Sequence, residues 1–408
     1  MRIVLTSFGS TGDIQPFLAL ATEFRKHGHH PVLALPPNFH ARARGLGLEF
    51  VPLGPELDAA LIRSVGERLT NVVDPAEQVR HFLNALAPAI PRMYRELLDI
   101  CAEADCLVSS PFQIVARMIY EKLGIPFVSV HMSQFGALGT KAVQSVSASI
   151  VNRCRAEFGH PPLKDPLGQE GTSPDLALYA VSNRVLRRPA AWPAHHHVVG
   201  FFFLEESGFV PDEALQAFME GPDKPIVVSF GSMIHEAPEK VTDILVKVVD
   251  KLGRRTVIQR GWSGLGSAAV AGRIRIVDFV PHYWLFSRAS CVVHHGGAGT
   301  TAATFKAGVP AVVVPHTLDQ PIWGQIARAF GCAPVVIPFM QLTVDGLVKG
   351  LEEALNNPKY ANSAASLSRG LALENGVCTA RQLVERLVSE KSWRRAGETA
   401  KMQRTGGA

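Results

Sequence analysis

The chain has 408 residues, 47% of them apolar and 19% charged, with 41 basic against 36 acidic side chains for a net charge of +5. That is too long for one ordinary core and suits two α/β domains, each able to bury a substantial interior. The mild positive charge gathers into no Lys/Arg block or aromatic-interleaved basic stripe, so nucleic-acid binding is set aside and anionic small molecules or an acidic lipid surface remain as partners.

The opening segment RIVLTSF is short and strand-like, unlike the apolar core of a secretion signal. It runs into Gly9-Ser10-Thr11-Gly12-Asp13 and then IQPFLALATEFRKHG, where Phe17, Leu18, Ala21 and Phe24 recur at helical spacing and Gly28 marks a stop. A second strand, HPVLALP, follows, which predicts a right-handed parallel βαβ unit. CLVSS and PFVSVH supply further strands. Between 198 and 225 the chain holds aromatics, prolines and acids without periodicity, as a linker would. A second αβ series then begins at PIVVSFGS and continues through RTVIQRG, IRIVDFV, SCVVHHGG and PAVVVPH.

The predicted fold class is α/β, with two doubly wound Rossmann-like domains facing each other across a cleft. The expected boundaries are an N-terminal domain at 1–205, a linker at 206–224, a C-terminal domain at 225–390 and a polar, fraying tail at 391–408. The six cysteines have no CxxC or zinc-finger spacing. They fit a reduced, cytoplasmic protein, and the absence of any run of about 18 apolar residues leaves at most peripheral membrane contact.

The densest chemical signal is 291–301, Cys-Val-Val-His-His-Gly-Gly-Ala-Gly-Thr-Thr. A buried strand runs into a glycine turn and a helix opening on threonines, which places free amides, hydroxyls and a positive helix end at one spot, a phosphate-binding arrangement. No Gly-Lys-Ser/Thr follows, so it is not a Walker loop. The plainer reading is a tight turn capped by Thr300. Further on, AVVVP ends in His316-Thr317-Leu318-Asp319-Gln320-Pro321. Ligands of open parallel sheets sit at such carboxyl ends, and Asp beside Gln suits neighbouring sugar hydroxyls. The plainer reading there is Asp319 as a helix cap. The run His195-His196-His197 does not suggest a metal, because adjacent residues of an extended segment point to opposite faces.

Together, residues 279–324, FVPHYWLFSRASCVVHHGGAGTTAATFKAGVPAVVVPHTLDQPIWG, closely resemble the donor-binding motif of the family 1 glycosyltransferases, in the flavour of the bacterial and sterol-glucosyltransferase branch. The resemblance extends to FGSTGDIQPFLALA, SFGSM and RGWSGLG. It implies a GT-B fold, with the acceptor in the N-terminal domain and a nucleotide sugar, UDP-glucose before dTDP-sugars, in the C-terminal one. No metal and no separate cofactor is expected. By position, Phe279 would stack on the base, Val280 would meet the base edge and His282 would reach the ribose. His295, Gly297, Thr300 and the amides of Ala298 and Gly299 would hold the diphosphate together with Ser232. Asp319 and Gln320 would grip the sugar. Ala303 stands where many relatives carry a ribose-binding Glu.

Asp13 is the implied general base. An attacking hydroxyl must lose its proton as the bond forms, and relatives have His or Asp here. The supporting Asp of the plant enzymes has no counterpart in Leu107-Val108-Ser109-Ser110-Pro111. An ordinary Asp is a weak base, so its pKa must be raised by burial or the transfer must be late and concerted. The plainer role is a helix cap. The region 57–148 is expected to line an apolar acceptor pocket through Phe82, Phe112, His131, Met132 and Phe135, with a sterol, terpenoid, lipid or polyketide as acceptor.

The expected activity is therefore inverting hexose transfer to a lipophilic hydroxyl. The rival readings are a nucleotide-sugar epimerase and a non-catalytic nucleotide-sugar-binding protein. A dinucleotide oxidoreductase is disfavoured, since the first turn is Gly9-x-x-Gly12 and no acid ends HPVLALP.

Overall fold

The computed structural model describes residues 1–57, 72, 74–133, 140–205, 208–235, 237–265 and 272–405, with side chains as far as Lys391. Twelve strands form two sheets among these residues. The first contains β1 (Arg2–Thr6), β2 (His30–Leu35), β3 (Glu49–Pro52), β4 (Cys106–Ser109), β5 (Phe127–His131), β6 (Leu176–Tyr179) and β7 (His196–Val198), in the order β3-β2-β1-β4-β5-β6-β7. The second contains β8 (Ile226–Ser229), β9 (Thr256–Gln259), β10 (Ile274–Val277), β11 (Cys291–His294) and β12 (Ala311–Val313), in the order β10-β9-β8-β11-β12.

Every pairing is parallel. Covered on both faces, the central strands are continuous apolar runs such as Ile226-Val227-Val228 and Cys291-Val292-Val293. In each sheet the order reverses beside the first strand, between β1 and β4 and between β8 and β11. A doubly wound sheet opens its ligand crevice at that point, and the two glycine turns of the sequence lie there.

One apolar cluster bridges the two halves. Ala177, Tyr179 and Val198 of the first sheet and Phe201 pack with Phe305, Val313 and Trp323 of the second half. Truncating a buried Phe or Trp costs about 3–5 kcal/mol, so this cluster fixes one domain against the other. Just ahead of the expected linker, Phe201 belongs to this cluster while Phe202 and Leu204 are buried in the first domain's core. Within 206–224 the structure has a helix, Glu213–Met219, whose Leu215 and Met219 enter the second domain's core.

The expected C-terminal boundary is also corrected. A single helix, Gly376–Thr405, runs through position 390 and packs on the first domain, not the second. Ala380, Val384 and Val388, at four-residue spacing, join the core formed by Ile3, Leu5 and Phe17. Ion pairs flank this seam: His29 with Glu385 at 2.7 Å, Arg381 with Glu23 at 3.2 Å, and Lys391 with Asp175. Gly376 is needed at the crossover, because a Cβ there would fall on the Gly200 carbonyl. No helix among the described residues is long and apolar enough to cross a membrane.

Candidate active site

Asp13 lies in the first turn of the helix Thr11–Lys26, directly after β1 and the switch point. Its Oδ2 accepts hydrogen bonds from the Ser10 amide at 2.7 Å and the Ser10 hydroxyl at 3.0 Å, so the capping role is real. The carboxyl is nevertheless pushed up from its ordinary 3.8 to about 6. Desolvation is the leading cause; the Ser10 hydrogen bonds oppose it, and the Asp319 charge across the cleft adds to it. In the stretch after β4, the Ser110 hydroxyl lies 2.9 Å from that of Ser7, which donates to the Asp13 carbonyl at 3.0 Å. That link steadies the Asp13 backbone and carries no charge to its carboxyl.

The facing site is built at the carboxyl ends of β8, β9, β11 and β12. Gly297 caps the helix Ala298–Ala307 with ordinary extended backbone, and Thr300 sits inside the first turn, so the plainer reading of Thr300 as the helix cap does not hold. A Cβ on Gly297 would fall on the His295 Nε2. Close backbone approach to the imidazole is what that glycine permits.

His294 Nδ1 accepts the Gly296 amide at 3.1 Å and is a structural brace for the turn. Burial pushes His295 down to about 4, against a hydrogen bond to the Ser229 backbone, so it is neutral near pH 7.

Buried polar atoms without a hydrogen-bond partner gather at this same place: Ser229 Oγ, Gln259 Oε1, His294 Nε2, His295 Nδ1, Thr301 Oγ1 and Thr317 Oγ1. Other such atoms are spread through both domains, among them those of Gln113, Asp165 and Glu374. No group of three or more metal-ligating side chains exists among the described residues; His196 of the triple-histidine run instead contacts the Tyr179 hydroxyl at 3.2 Å.

The second loop follows β12. Gln320 Oε1 accepts the amides of His316 and Thr317 at 2.8 and 3.2 Å, and its Nε2 faces the Met233 sulfur at 3.2 Å. Half of the Gln320 amide therefore shapes the loop, and the nitrogen half has only a weak thioether acceptor. Asp319 is the N-cap residue of the helix Gln320–Ala329 but makes no side-chain cap bond. Its Oδ2 accepts from Trp323 Nε1 at 3.1 Å, and the Ser133 side chain reaches it from the first domain. Desolvation raises its pKa.

At the other end of the cleft Phe279 is 54% exposed. The Arg42 guanidinium of the first domain stands 5.4 Å from its centroid. His282 stacks on Phe286 at 4.4 Å and contacts Gln259 Nε2 at 3.5 Å. Burial, with His295 and Arg42 nearby, holds its pKa down to about 4. Val280 is buried in the core beneath, with half-buried Ala303 packed on the same cluster. Ser232 is half-buried in the turn after β8.

On the acceptor side, Phe8, Phe82 and Phe112 form an aromatic row, with centroids 6.2 and 5.6 Å apart, beside the Asp13 turn. His131 does not belong to it. It is 1% exposed, bonds Ser129 Oγ at 3.1 Å and stacks on Tyr179 at 4.8 Å, so a polar residue at a strand end proves to be core. Met132 is half-buried against the first domain's core. Phe135 lies outside the described residues. Sequence reasoning missed Gln78, Arg42, Ser133 and Met233, all of which reach the cleft only through tertiary structure; no local pattern marks them.

Two family models match the chain: the glycosyltransferase family 28 N-terminal domain over residues 3–137, and the erythromycin biosynthesis protein CIII-like C-terminal domain over residues 247–385. The O-mycaminosyltylonolide 6-deoxyallosyltransferase of Streptomyces fradiae is 30% identical over 94% of this chain and 97% of its own length. A sterol 3-beta-glucosyltransferase of Arabidopsis thaliana is 30% identical over 93% of this chain, which spans 64% of that relative. The solved glycosyltransferase of kitacinnamycin superposes with a TM-score of 0.73 at 22% identity, covering 95% of this chain and 98% of that one. With two parallel-sheet domains, a glycine cradle at the second switch point and an aspartate at the first, the chain belongs to the family 1 glycosyltransferases of GT-B fold.

Proposed function

We propose that the protein transfers a hexose, with inversion, from a nucleoside diphosphate sugar to a hydroxyl of a lipophilic acceptor. UDP-glucose is the favoured donor over dTDP-sugars. The observation that carries this reading is the meeting of three features across one cleft. They are the unpartnered polar atoms around the Gly296–Gly297 turn, the Asp319 carboxylate, and an Asp13 carboxyl raised to about 6.

In the proposed step the acceptor hydroxyl attacks the anomeric carbon while its proton passes to Asp13. The bond from that carbon to the diphosphate breaks, and the electron pair leaves with the phosphate oxygen. A base with a pKa near 6 is ionised at neutral pH yet basic enough to share the proton in the transition state. The charge arriving on the diphosphate meets the amides of Ala298 and Gly299, the hydroxyls of Ser232 and Thr300, the His295 ring edge and the positive end of the helix Ala298–Ala307. These donors supply, without a metal, the stabilisation the leaving group needs.

Asp319 and the Gln320 nitrogen would take the sugar hydroxyls, and Phe279 the base. The aromatic row Phe8–Phe82–Phe112 beside Asp13 favours a flat or polycyclic acceptor. The names of the relatives, a sterol glucosyltransferase and a macrolide-type sugar transferase, fit such an acceptor.

The test is incubation of the full chain with UDP-glucose or dTDP-glucose and a panel of hydroxylated sterols, terpenoids and polyketides. Mass spectrometry would detect the conjugate, and NMR would read the anomeric configuration. A glucoside of inverted configuration is expected. An epimerised sugar with donor alone, or no turnover while the nucleotide binds, would replace this reading with the epimerase or the silent binding protein.

A further inference from the structure

We propose that Gln78 is a positioning residue for the donor sugar. Supplied by the acceptor domain, its side-chain oxygen holds the Thr317–Asp319 turn of the other domain in the left-handed shape that presents the Asp319 carboxylate. The inference rests on the reading of Asp319 as a sugar ligand.

Among the described residues Leu318 is the only non-glycine with positive φ, at 52°. For a residue with a Cβ that conformation costs the equivalent of about five- to thirty-fold in population, and it persists only where the surroundings impose it. The neighbour that imposes it is 240 positions away. The Leu318 amide donates to Gln78 Oε1 at 3.3 Å. Gln78 is itself fixed: it is 3% exposed, and its Nε2 donates to the Val72 carbonyl at 2.6 Å.

Gln78 lies on the helix Pro75–Leu86, whose start is set by the Asp74 cap. Four residues on, and so on the same face, is Phe82 of the acceptor row. One helix thus carries both an acceptor wall and the prop of the sugar turn. Within that turn, Trp323 and Ser133 hold Asp319 from its side chain, while Gln78 acts one residue earlier on the backbone. Without the Gln78 oxygen, Leu318 is free to return to ordinary backbone, and the carboxylate that follows is carried away from the sugar. The phosphate cradle, on a different loop, is untouched.

The experiment compares wild type with Gln78→Met, which keeps the side-chain volume and removes the acceptor. It is run in the full chain, with and without Leu318→Gly, which removes the cost of the left-handed conformation. UDP and UDP-glucose affinities are read by calorimetry, and donor KM, acceptor KM and kcat from transfer assays.

Gln78→Met is expected to weaken UDP-glucose about five- to thirty-fold, as far as the turn relaxes. UDP affinity and acceptor KM should hold, and the loss should be largely recovered in the Leu318→Gly background. Equal weakening of UDP and UDP-glucose, no weakening of either, or a loss that Leu318→Gly does not relieve would each overturn the proposal. Asp319→Ala serves as the control. If it leaves the ratio of UDP-glucose to UDP affinity unchanged, the sugar-site reading itself fails, separately from Gln78.

Discussion

Replacing Asp13 with Asn should abolish transfer and at the same time stabilise the fold, by an amount that depends on pH. The folded carboxyl titrates at about 6 against an ordinary 3.8, chiefly through desolvation. The folded state therefore binds more protons than the unfolded chain between those values, and stability is lost as pH rises through the folded pKa. The full gap corresponds to about 3 kcal/mol at about pH 8, falls to about 1 kcal/mol at about pH 4.5, and disappears below the ordinary pKa. These are upper bounds, because a half-buried carboxylate keeps some water in the cleft.

Asn has the same shape and still offers an oxygen to the Ser10 amide, so it removes the buried charge and keeps the cap. Urea unfolding of wild type and Asp13→Asn at the two pH values reads the difference. Transfer assays should show a rate lowered on the order of 10²- to 10⁴-fold, the contribution of a positioned base, with nucleotide affinity retained. Wild-type kcat/KM should rise with pH and level off above an apparent pKa of about 6. A variant equally stable at both pH values, or less stable than wild type at the higher one, would refute the desolvation argument. A surviving rate would refute the role of the base.

Three other outcomes follow from the geometry. Affinity for UDP-glucose, whose diphosphate has no titrating terminal oxygen, should be flat from about pH 6.5 to 8 because His295 is already neutral, while His295→Ala lowers it roughly tenfold by removing a wall of the cradle; a steep rise on acidification would mean that an imidazolium binds the phosphate. Gly297→Ala should abolish nucleotide binding with little change in melting temperature, since its backbone is ordinary and only the new Cβ, pressed on His295, is harmful. Calorimetry beside a thermal melt checks this, and retained affinity would contradict the cradle. Phe82→Ala should raise the acceptor KM roughly tenfold and leave the donor KM alone, as loss of one apolar wall predicts; an effect on donor KM only would place Phe82 outside the acceptor site.

Much of this was legible in the chain because a few signals are local. A parallel strand covered on both faces reads as an apolar run, and the turn after it as glycines followed by a helix start; the second sheet, the four central strands of the first and both switch-point turns were found that way, whereas β3, β6 and β7, short and at or near the edges, were not. The partners of amphipathic segments were not legible. Ala380, Val384 and Val388 show a buried face, but periodicity does not say which domain covers it, and the helix belongs with the first domain's core. Helix Glu213–Met219 is too short for its period to stand out among prolines and acids.

His131 was read as a site residue because a histidine after a strand looks alike whether it faces a cleft or a tyrosine ring. Asp13 raises the same question. Capping and catalysis are written with the same residue at the same position, and only its environment, the desolvation and the facing Asp319, separates them. Gln78 and Arg42 had no signal at all, since their roles exist only once the two domains meet.

The most direct test is a crystal structure of Asp13→Asn bound to an intact sugar nucleotide and a hydroxylated sterol. The account predicts the diphosphate on the amides of residues 298 and 299, the hexose hydroxyls on Asp319 and Gln320, and the sterol hydroxyl between residue 13 and the anomeric carbon, on the face opposite the leaving phosphate. A diphosphate seated elsewhere, or a sterol hydroxyl on the same face as the phosphate, would contradict it.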